Sequence, residues 1–301
     1  MSYNVETVLK NVATTVGEGP HWDDTTQTLL FVDINNGKIF RYNPGTGTND
    51  MIQLNGTVGF VVPRSKGGLI VGLDNTFSAV DWNTKTVTKL AEVDSGTNNR
   101  MNDGKCDPKG RLWGGTMSKT FNAGQANLYC LDVDGTLTKK VDRVTISNGL
   151  AWSPDNTIMY YIDTTPHKVY AYDYDINTGN ISNQRVAVDF DAVPEFNGNV
   201  PGPDGMTIDT DGNLWVACFG GGMVAKFDPK TGAALQQVSL PNATKITSVA
   251  WGGKNLDELY VTSLRSGIPD SELQTTESLA GSLFRVTGLG VKGSPAYVYQ
   301  G

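Results

Sequence analysis

Short apolar stretches separated by polar turns recur along the whole chain, at a period of about 45 residues. Each unit has an apolar strand, a turn rich in Asp, Asn, Gly or Pro, and an alternating apolar strand, as in GKCDPKGRLWGGTM and GLAWSPDNTIMYYID. A third strand such as NLYCLD or KVYAYDYD follows, and a further turn leads to a fourth. No segment has helical periodicity, so the pattern predicts strands in groups of four.

Six such units fit within the 301 residues, and four short strands per repeat are typical of a β-propeller. A β-sandwich lacks a repeat of this period, and β-helix repeats are far shorter. We therefore predict an all-β, six-bladed β-propeller with four antiparallel strands per blade, and residues 1–301 as a single domain. The recurring tryptophans are expected to pack between blades. The sequence does not decide whether residues 3–12 or the segment near 296–299 form the strand that closes the ring.

The blades can be aligned on the small residue that opens each first strand. The residues just before it are Glu18, Val58, Asp103, Asn148, Asp204 and Thr247. Because the first strand of a propeller blade is the innermost, these positions should converge on the central channel. Several carboxylates share a channel at low cost only if a cation neutralises them or some are protonated. Oxygen ligands favour a hard divalent cation such as Ca²⁺, Mg²⁺ or Mn²⁺.

The irregular segments point to the same end of the channel. They span residues 92–102, 118–127, 191–203 and 264–281, and all should emerge at the mouth where the first strands begin. Long loops around a polar centre are typical of a pocket for a small-molecule ligand.

Composition narrows the choice of partners and location. The net charge of −7 disfavours nucleic acid and anionic membranes, and no signal peptide or membrane-length apolar stretch is recognisable. Three widely spaced cysteines without a CxxC motif favour reduced thiols and a cytoplasmic location. Only two histidines are present, which disfavours an imidazole-based zinc site and a Ser-His-Asp triad. A closed propeller with few exposed edges is expected to be monomeric.

Several motifs resemble those of the SMP-30/gluconolactonase/luciferin-regenerating-enzyme family, which includes the regucalcins. They are GEGPHWD, NNRMNDGKCDPKGRLWGGTM, SNGLAWSPDN, MYYIDT, YDYD, PDGMTIDTDGNLWVA and LDELYVTSLRSG with RVTGLGVKG. The resemblance covers nearly the whole chain and implies a six-bladed propeller. It also implies one divalent cation, with Ca²⁺ the first candidate and Zn²⁺, Mn²⁺ or Mg²⁺ as alternatives.

The resemblance implies that the cation is bound by Glu18 in GEGP, Asn148 in SNGL and Asp204 in PDGM, and that Asp204 is also the catalytic acid/base. It implies that Arg100 and Asn102, in NNRMNDG, contact the substrate.

The resemblance separates Asp103 from the three implied ligands, so its expected role is support behind them. Mammalian regucalcins carry acidic residues that bind the sugar lactone after the GTM segment. Here that stretch is Ser118-Lys119-Thr120, so a preference for sugar lactones does not follow from the resemblance.

The predicted function is metal-dependent hydrolysis of lactones, in which Asp204 accepts a proton from the attacking water. Two other functions stay open. One is a calcium-binding regulatory protein of the regucalcin type, and the other is hydrolysis of a nitrile-like or organophosphate substrate at the same site. A structural interpretation is also open, because Asp or Asn before Gly is common in turns, and Arg100 could be a solvated loop residue.

Overall fold

The computed structural model describes residues 2–301, which fold into six four-stranded antiparallel sheets. In chain order the strands are β1 (Asn4–Leu9), β2 (Gly17–Asp23), β3 (Thr28–Asp33), β4 (Lys38–Asn43), β5 (Thr48–Gln53), β6 (Val58–Pro63), β7 (Leu69–Leu73), β8 (Thr76–Val80), β9 (Val87–Glu92), β10 (Asn99–Cys106), β11 (Leu112–Ser118), β12 (Ala126–Leu131), β13 (Leu137–Val144), β14 (Ser147–Trp152), β15 (Ile158–Asp163), β16 (Lys168–Asp175), β17 (Asn180–Asp189), β18 (Gly202–Ile208), β19 (Leu214–Phe219), β20 (Met223–Phe227), β21 (Ala234–Ser239), β22 (Ile246–Gly252), β23 (Glu258–Ser263) and β24 (Leu283–Thr287). The only helical turns in this part of the chain are α1 (Asp270–Leu273) and two 3₁₀ turns, Phe190–Ala192 and Pro194–Phe196.

The six sheets are the blades of a β-propeller, as the sequence predicts. Blades 1 to 5 are β2–β5, β6–β9, β10–β13, β14–β17 and β18–β21. The first strand of each blade contacts the first strands of both neighbouring blades, so these six strands form a closed ring. They are largely buried, as in β14, whereas outer strands such as β9 are mostly exposed. No helix within residues 2–301 has the length and apolarity required to cross a bilayer.

The ring closes through its N-terminal strand. Blade 6 has the order β22-β23-β24-β1, and β1 pairs antiparallel with β24 through contacts such as Val5 with Val286. The C-terminal segment lies elsewhere, because Tyr299 forms an isolated bridge with Arg64 in the turn between β6 and β7. Of the two closing segments left open by the sequence, the N-terminal one is therefore correct.

Aromatic side chains pack between blades where the tryptophan repeat predicts them. Trp113 of blade 3 meets Trp152 of blade 4 with ring centroids 5.9 Å apart. Trp215 of blade 5 meets Trp251 of blade 6 at 5.4 Å. These edge-on contacts, and the stacking of Trp22 on a blade 6 tyrosine, fill the wedges between sheets with large apolar groups.

Every first strand contains a β-bulge near its beginning. The register breaks lie at Glu18/His21, Val58/Val61, Met101/Gly104, Ser147/Leu150, Pro203/Met206 and Ile246/Ser248. A bulge inserts an unpaired residue and re-aims its side chain. A glycine follows in five of the six blades, and Ser248 follows in blade 6. Neighbouring first strands come very close here, since a Cβ on Gly149 would lie 2.8 Å from the Asp204 carbonyl oxygen. The bulges thus turn one side chain per blade away from its sheet.

Candidate metal and substrate site

Two buried carboxyl groups face each other at the bulges of blades 1 and 5. Glu18 and Asp204 are 4% and 8% exposed, and their carboxyls lie within hydrogen-bonding reach of each other. Burial, with the negative charge of the neighbouring carboxylates, raises the pKa of Glu18 well above its usual range. Burial likewise raises the pKa of Asp204. Without a counter-charge the two groups therefore tend to retain a proton, and a cation between them would remove that need.

Asn148 lies beside this pair in the bulge of blade 4, and its side-chain orientation is fixed. Its Nδ2 donates to Thr164 Oγ1 at 2.8 Å, and that hydroxyl donates to the Pro203 carbonyl oxygen at 2.8 Å. Asn148 Oδ1 is buried and has no hydrogen-bond partner. A buried amide oxygen without a donor is costly and needs an explanation. A cation bound by this oxygen would provide one.

The side chains present fit a hard divalent cation. The set comprises two carboxylates and one amide oxygen, and Ca²⁺ and related ions prefer oxygen ligands. Within residues 2–301 there is no group of three or more His, Cys, Asp or Glu side chains placed to hold a metal ion, so the amide is needed to complete a ligand set. This composition differs from the Cys- and His-rich sets of structural zinc sites.

Arg100 and Asn102 lie together at the start of β10, beside the carboxyl pair. Arg100 Nη1 donates to Asn102 Oδ1 at 2.9 Å, and Asn102 Nδ2 donates to the Ser147 carbonyl oxygen at 2.7 Å. Burial lowers the pKa of Arg100 to about 10, while the charges of Glu18 and Asp204 oppose that shift. The guanidinium remains charged at neutral pH, and Asn102 holds it in a defined position over the cavity.

Asp103 is buried but lies outside the cavity lining. Its Oδ1 accepts the Gly104 backbone N–H at 2.7 Å, and burial raises its pKa. Its charge raises the pKa values of Glu18 and Asp204. Asp103 is therefore a third buried carboxyl that acts electrostatically on the pair without reaching the cavity.

The cavity above these groups has a volume of about 600 Å³ and a mostly apolar wall. Its lining includes Glu18, Arg100, Asn102, Asn148 and Asp204, so every residue predicted to bind metal or substrate reaches one space. We call this space the upper cavity. Its apolar collar consists of Val16, Met117, Phe121, Ile146, Phe219 and Leu264. Thr57, Thr164, Thr247 and Lys119 add polar groups.

Buried aspartates anchor the chain just before two of the site residues. Asp33, at the end of β3, accepts the Val16 backbone N–H at 3.0 Å. Asp163, at the end of β15, accepts the Ile146 backbone N–H at 3.0 Å. Each anchored residue stands two positions before a candidate ligand. The sequence interpretation missed this role, although the aspartate after an apolar strand in FVD and YID is a visible signal.

A third aspartate fixes the loop that leads into β10. The Asp94 carboxylate accepts hydrogen bonds from Asn99, Thr116, Asn127 and Tyr129 at 2.5 to 2.7 Å. The sequence offers no signal for this cluster, because its members come from three strands and a loop. The cluster connects the beginning of β10 to β11 and β12, the next two strands of the blade. It thereby helps to position Arg100 and Asn102, which lie at the beginning of β10.

Comparison with known proteins identifies the family of this chain. A family model described as the SMP-30/gluconolactonase/LRE-like region matches residues 16–265. A regucalcin from Danio rerio is 44% identical over 302 aligned positions, which cover 100% of this chain and 99% of its own. Among solved structures, a luciferin-regenerating enzyme has a TM-score of 0.90 at 36% identity, covering 99% of this chain and 100% of its own.

A second solved structure is described as a calcium-binding protein, regucalcin, from Agrobacterium tumefaciens. It has a TM-score of 0.90 at 26% identity and covers 99% of this chain and 98% of its own. The resemblance drawn from the sequence motifs is thus confirmed along the full chain, and the protein belongs to the SMP-30/gluconolactonase/LRE-like family.

Proposed function

We propose that this protein is a divalent-metal-dependent hydrolase of lactones, with Glu18, Asn148 and Asp204 as the metal ligands. The observation that carries the proposal is the unpartnered Asn148 oxygen beside two buried carboxyls of raised pKa, at the floor of an open cavity. A bound divalent cation would polarise the lactone carbonyl and stabilise negative charge on its oxygen.

Asp204 is the proposed general base. It lines the upper cavity, and with a cation offsetting the charge of the neighbouring carboxyls it would be ionised and able to take a proton from an attacking water. Arg100 is the proposed substrate-orienting residue, since its guanidinium lies beside the carboxyl pair and can donate to a substrate oxygen. Asn102 positions Arg100, and Asp103 supports the carboxyl pair from behind.

The apolar collar favours lactones that carry a hydrocarbon chain over polyhydroxylated sugar lactones. Hydroxyl groups placed against Met117, Phe219 and Leu264 would lose water without gaining partners, which is unfavourable. Lys119 is the lining residue in the segment where the family's sugar-binding carboxylates are expected, and it offers a cation instead.

The test is hydrolysis of an alkyl-substituted γ-lactone and of gluconolactone by metal-stripped protein, before and after addition of Ca²⁺, Mn²⁺, Mg²⁺ or Zn²⁺. We expect activity only with added cation, a higher kcat/KM for the alkyl lactone, and loss of activity in Asp204→Asn. Asp173→Asn, at an exposed ion pair with Arg185, is the matched control and should leave activity unchanged. Equal activity in stripped protein and in Asp204→Asn would contradict the mechanism.

Two alternatives use the same side chains. A calcium-binding regulatory role is favoured by the similarity to proteins named regucalcin. Hydrolysis of an aromatic nitrile-like or organophosphate substrate is favoured by the apolar collar and by the similarity to a luciferin-regenerating enzyme. Tight cation binding without turnover of any ester would support the regulator, while turnover of aromatic substrates alone would support the second alternative.

A further inference from the structure

A second cavity lies at the opposite end of the central channel. The first strands run from the upper cavity, where Glu18 lies near the start of β2, to this end, where Trp22 lies near its finish. The cavity has a volume of about 160 Å³, and none of the residues that line it also lines the upper cavity. We call it the lower cavity. A space of this size can hold a single-ring molecule.

The walls of the lower cavity combine aromatic and polar side chains, and its outer side is formed by the C-terminal segment. Trp152 and Trp251 contribute aromatic side chains from blades 4 and 6, and residues 294–297 cover the outside. That segment is held on either side by backbone hydrogen bonds, from Gly293 to the Leu256 carbonyl at 2.8 Å and from Tyr299 to the Pro63 carbonyl at 3.0 Å. Residues 294–297 are themselves exposed and form the solvent-facing side of the cavity.

The polar groups around the lower cavity are unbalanced, because several donors lack acceptors. The Lys105 ammonium, which has three N–H donors, donates to the Met206 carbonyl oxygen at 2.6 Å. No carboxylate of residues 2–301 lies within 4.0 Å of it. The indole nitrogens of Trp152 and Trp251 are buried and without a partner, and so is His21 Nε2. Indole N–H groups can only donate.

Two acceptor side chains in the same lining, Asp209 and Ser153, already have hydrogen-bond partners. The Asp209 carboxylate accepts from Trp215 Nε1 at 3.0 Å and from Lys226 Nζ at 3.2 Å. It also accepts two backbone N–H groups of its own turn. Ser153 Oγ donates to Asp155 and accepts two further backbone N–H groups. The Asp103 carboxylate favours the charged form of the Lys105 ammonium, but it lies outside the lining of this cavity. A ligand that complements the cavity would supply acceptors, since unpaired buried donors are costly, and a negative charge would give the ammonium a direct partner.

We propose that the lower cavity binds a small organic monocarboxylate, with its carboxylate toward Lys105 and its apolar body against Trp152 and Trp251. The volume limits the apolar body to about one ring. Burial lowers the pKa of His21 to about 4, so its ring is neutral at neutral pH and adds no second positive charge to the cavity. The site is separate from the metal-binding residues, and the proposal does not rest on the proposed hydrolase activity.

The experiment uses the full chain in the presence of Ca²⁺, with 4-fluorobenzoate as the probe and ¹⁹F NMR as the readout. We expect saturable binding with a dissociation constant on the order of 1 mM or below, which is reasonable for a ligand of this size. The neutral isostere 4-fluorobenzamide should bind about tenfold more weakly, because it lacks the charge that Lys105 needs. Absence of saturable binding, or equal affinity for the two probes, would overturn the proposal.

Substitutions in the lining of the lower cavity test whether the probes bind there. Lys105→Met should weaken 4-fluorobenzoate binding by about tenfold or more and leave 4-fluorobenzamide binding nearly unchanged. Ala296→Phe, at an exposed position of the covering segment, should block both probes without disturbing the sheets. Trp251→Phe, which retains a ring and removes one donor, should weaken the carboxylate by a smaller factor. These two variants keep the test decisive if Lys105→Met does not fold.

The Asp204→Asn variant tests whether the probe binds in the upper cavity instead of the lower cavity. We expect this variant to bind 4-fluorobenzoate with wild-type affinity, because Asp204 lines only the upper cavity. If Asp204→Asn abolishes binding while Ala296→Phe preserves it, the probe occupies the upper cavity and the proposal is wrong.

Discussion

The side chain of Asn148 donates to the hydroxyl of Thr164 at 2.8 Å, and this one bond determines where its amide oxygen can face. The hydroxyl in turn donates a hydrogen bond to the carbonyl oxygen of Pro203, the residue before Asp204. Thr164 therefore joins the amide of blade 4 to the peptide that carries the carboxylate of blade 5. Two of the three candidate ligands depend on one threonine that does not itself bind the cation.

Removal of that hydroxyl should loosen the cation site and leave the fold intact. Thr164→Val keeps the shape of the side chain but removes the hydroxyl that accepts from Asn148 Nδ2. We expect Ca²⁺ or Mn²⁺ affinity, measured by isothermal titration calorimetry, to fall about tenfold, as for other groups that orient a metal ligand. Thr88→Val, at an exposed strand position, is the control. Unchanged affinity in Thr164→Val would mean that Asn148 is not a ligand.

The carboxyl pair should make the stability of the cation-free protein depend on pH. Because burial raises the pKa of Glu18 and of Asp204, the folded chain retains protons that the unfolded chain releases above about pH 4.3. The free energy of unfolding should therefore fall as pH rises from that value through the folded pKa values. Thermal melts of metal-stripped protein between pH 4.5 and 8 measure this decline.

Replacing one carboxyl should stabilise the cation-free protein and abolish the further stabilisation by the cation. Glu18→Gln removes a buried negative charge, so the metal-stripped variant at pH 8 should melt above the stripped wild type. The wild type should gain about 2.7 kcal/mol with cation at 100 times its dissociation constant, and the variant should gain almost nothing. Glu195→Gln, an exposed substitution, should behave as wild type. A variant that still responds fully to Ca²⁺ would show that the cation binds elsewhere.

Arg100 should affect catalysis and cation binding in opposite directions. Arg100→Met removes the substrate-orienting group, and kcat/KM for the best lactone should fall on the order of 100-fold. The same change removes a positive charge beside Glu18 and Asp204, so Ca²⁺ affinity should rise a few-fold. Asn102→Ala should lower kcat/KM less, because Arg100 stays in the cavity but loses its fixed position. Parallel loss of cation affinity and activity in Arg100→Met would point to misfolding.

The hydrogen-bond cluster at Asp94 should contribute to stability and to activity together. In Asp94→Asn one oxygen becomes an NH₂ group and faces side chains that are themselves donors. We expect a loss of about 2–4 kcal/mol in the free energy of unfolding, measured by urea denaturation, with reduced kcat/KM. Asp134→Asn, whose carboxylate accepts only from its own exposed turn, should change stability by about 0.5 kcal/mol or less.

The blade count, the strand pattern and the meeting of the axial residues could all be predicted from the sequence. These features follow from local periodicity and from one geometric rule, namely that first strands line the channel. An alignment of the repeats was enough to predict that Glu18, Asn148 and Asp204 lie close together. The family resemblance then distinguished them from Asp103, which shares their position in the repeat.

What could not be predicted depends on contacts between residues far apart in the chain. Thr164 orients Asn148 through a side-chain hydrogen bond, and nothing in the letters MYYIDT specifies that direction. The apolar collar is assembled from strand ends and loops of several blades, as in the pairing of Val16 with Leu264. The choice of the N-terminal strand to close the ring was also undecided, because both candidate segments have a plausible strand pattern.

The pairing of β1 with β24 has a consequence for how the chain is made. Residues 4–9 are synthesised before all the other strands of the propeller, whereas their partner, residues 283–287, is the last strand to be synthesised. During synthesis β1 has no pairing partner until β24 has been made, and the ring cannot close until blade 6 is complete. A circular permutant that begins at residue 14, with a short linker joining residue 301 to residue 2, would bring β1 and β24 close together in the chain, and it should refold faster than the natural order.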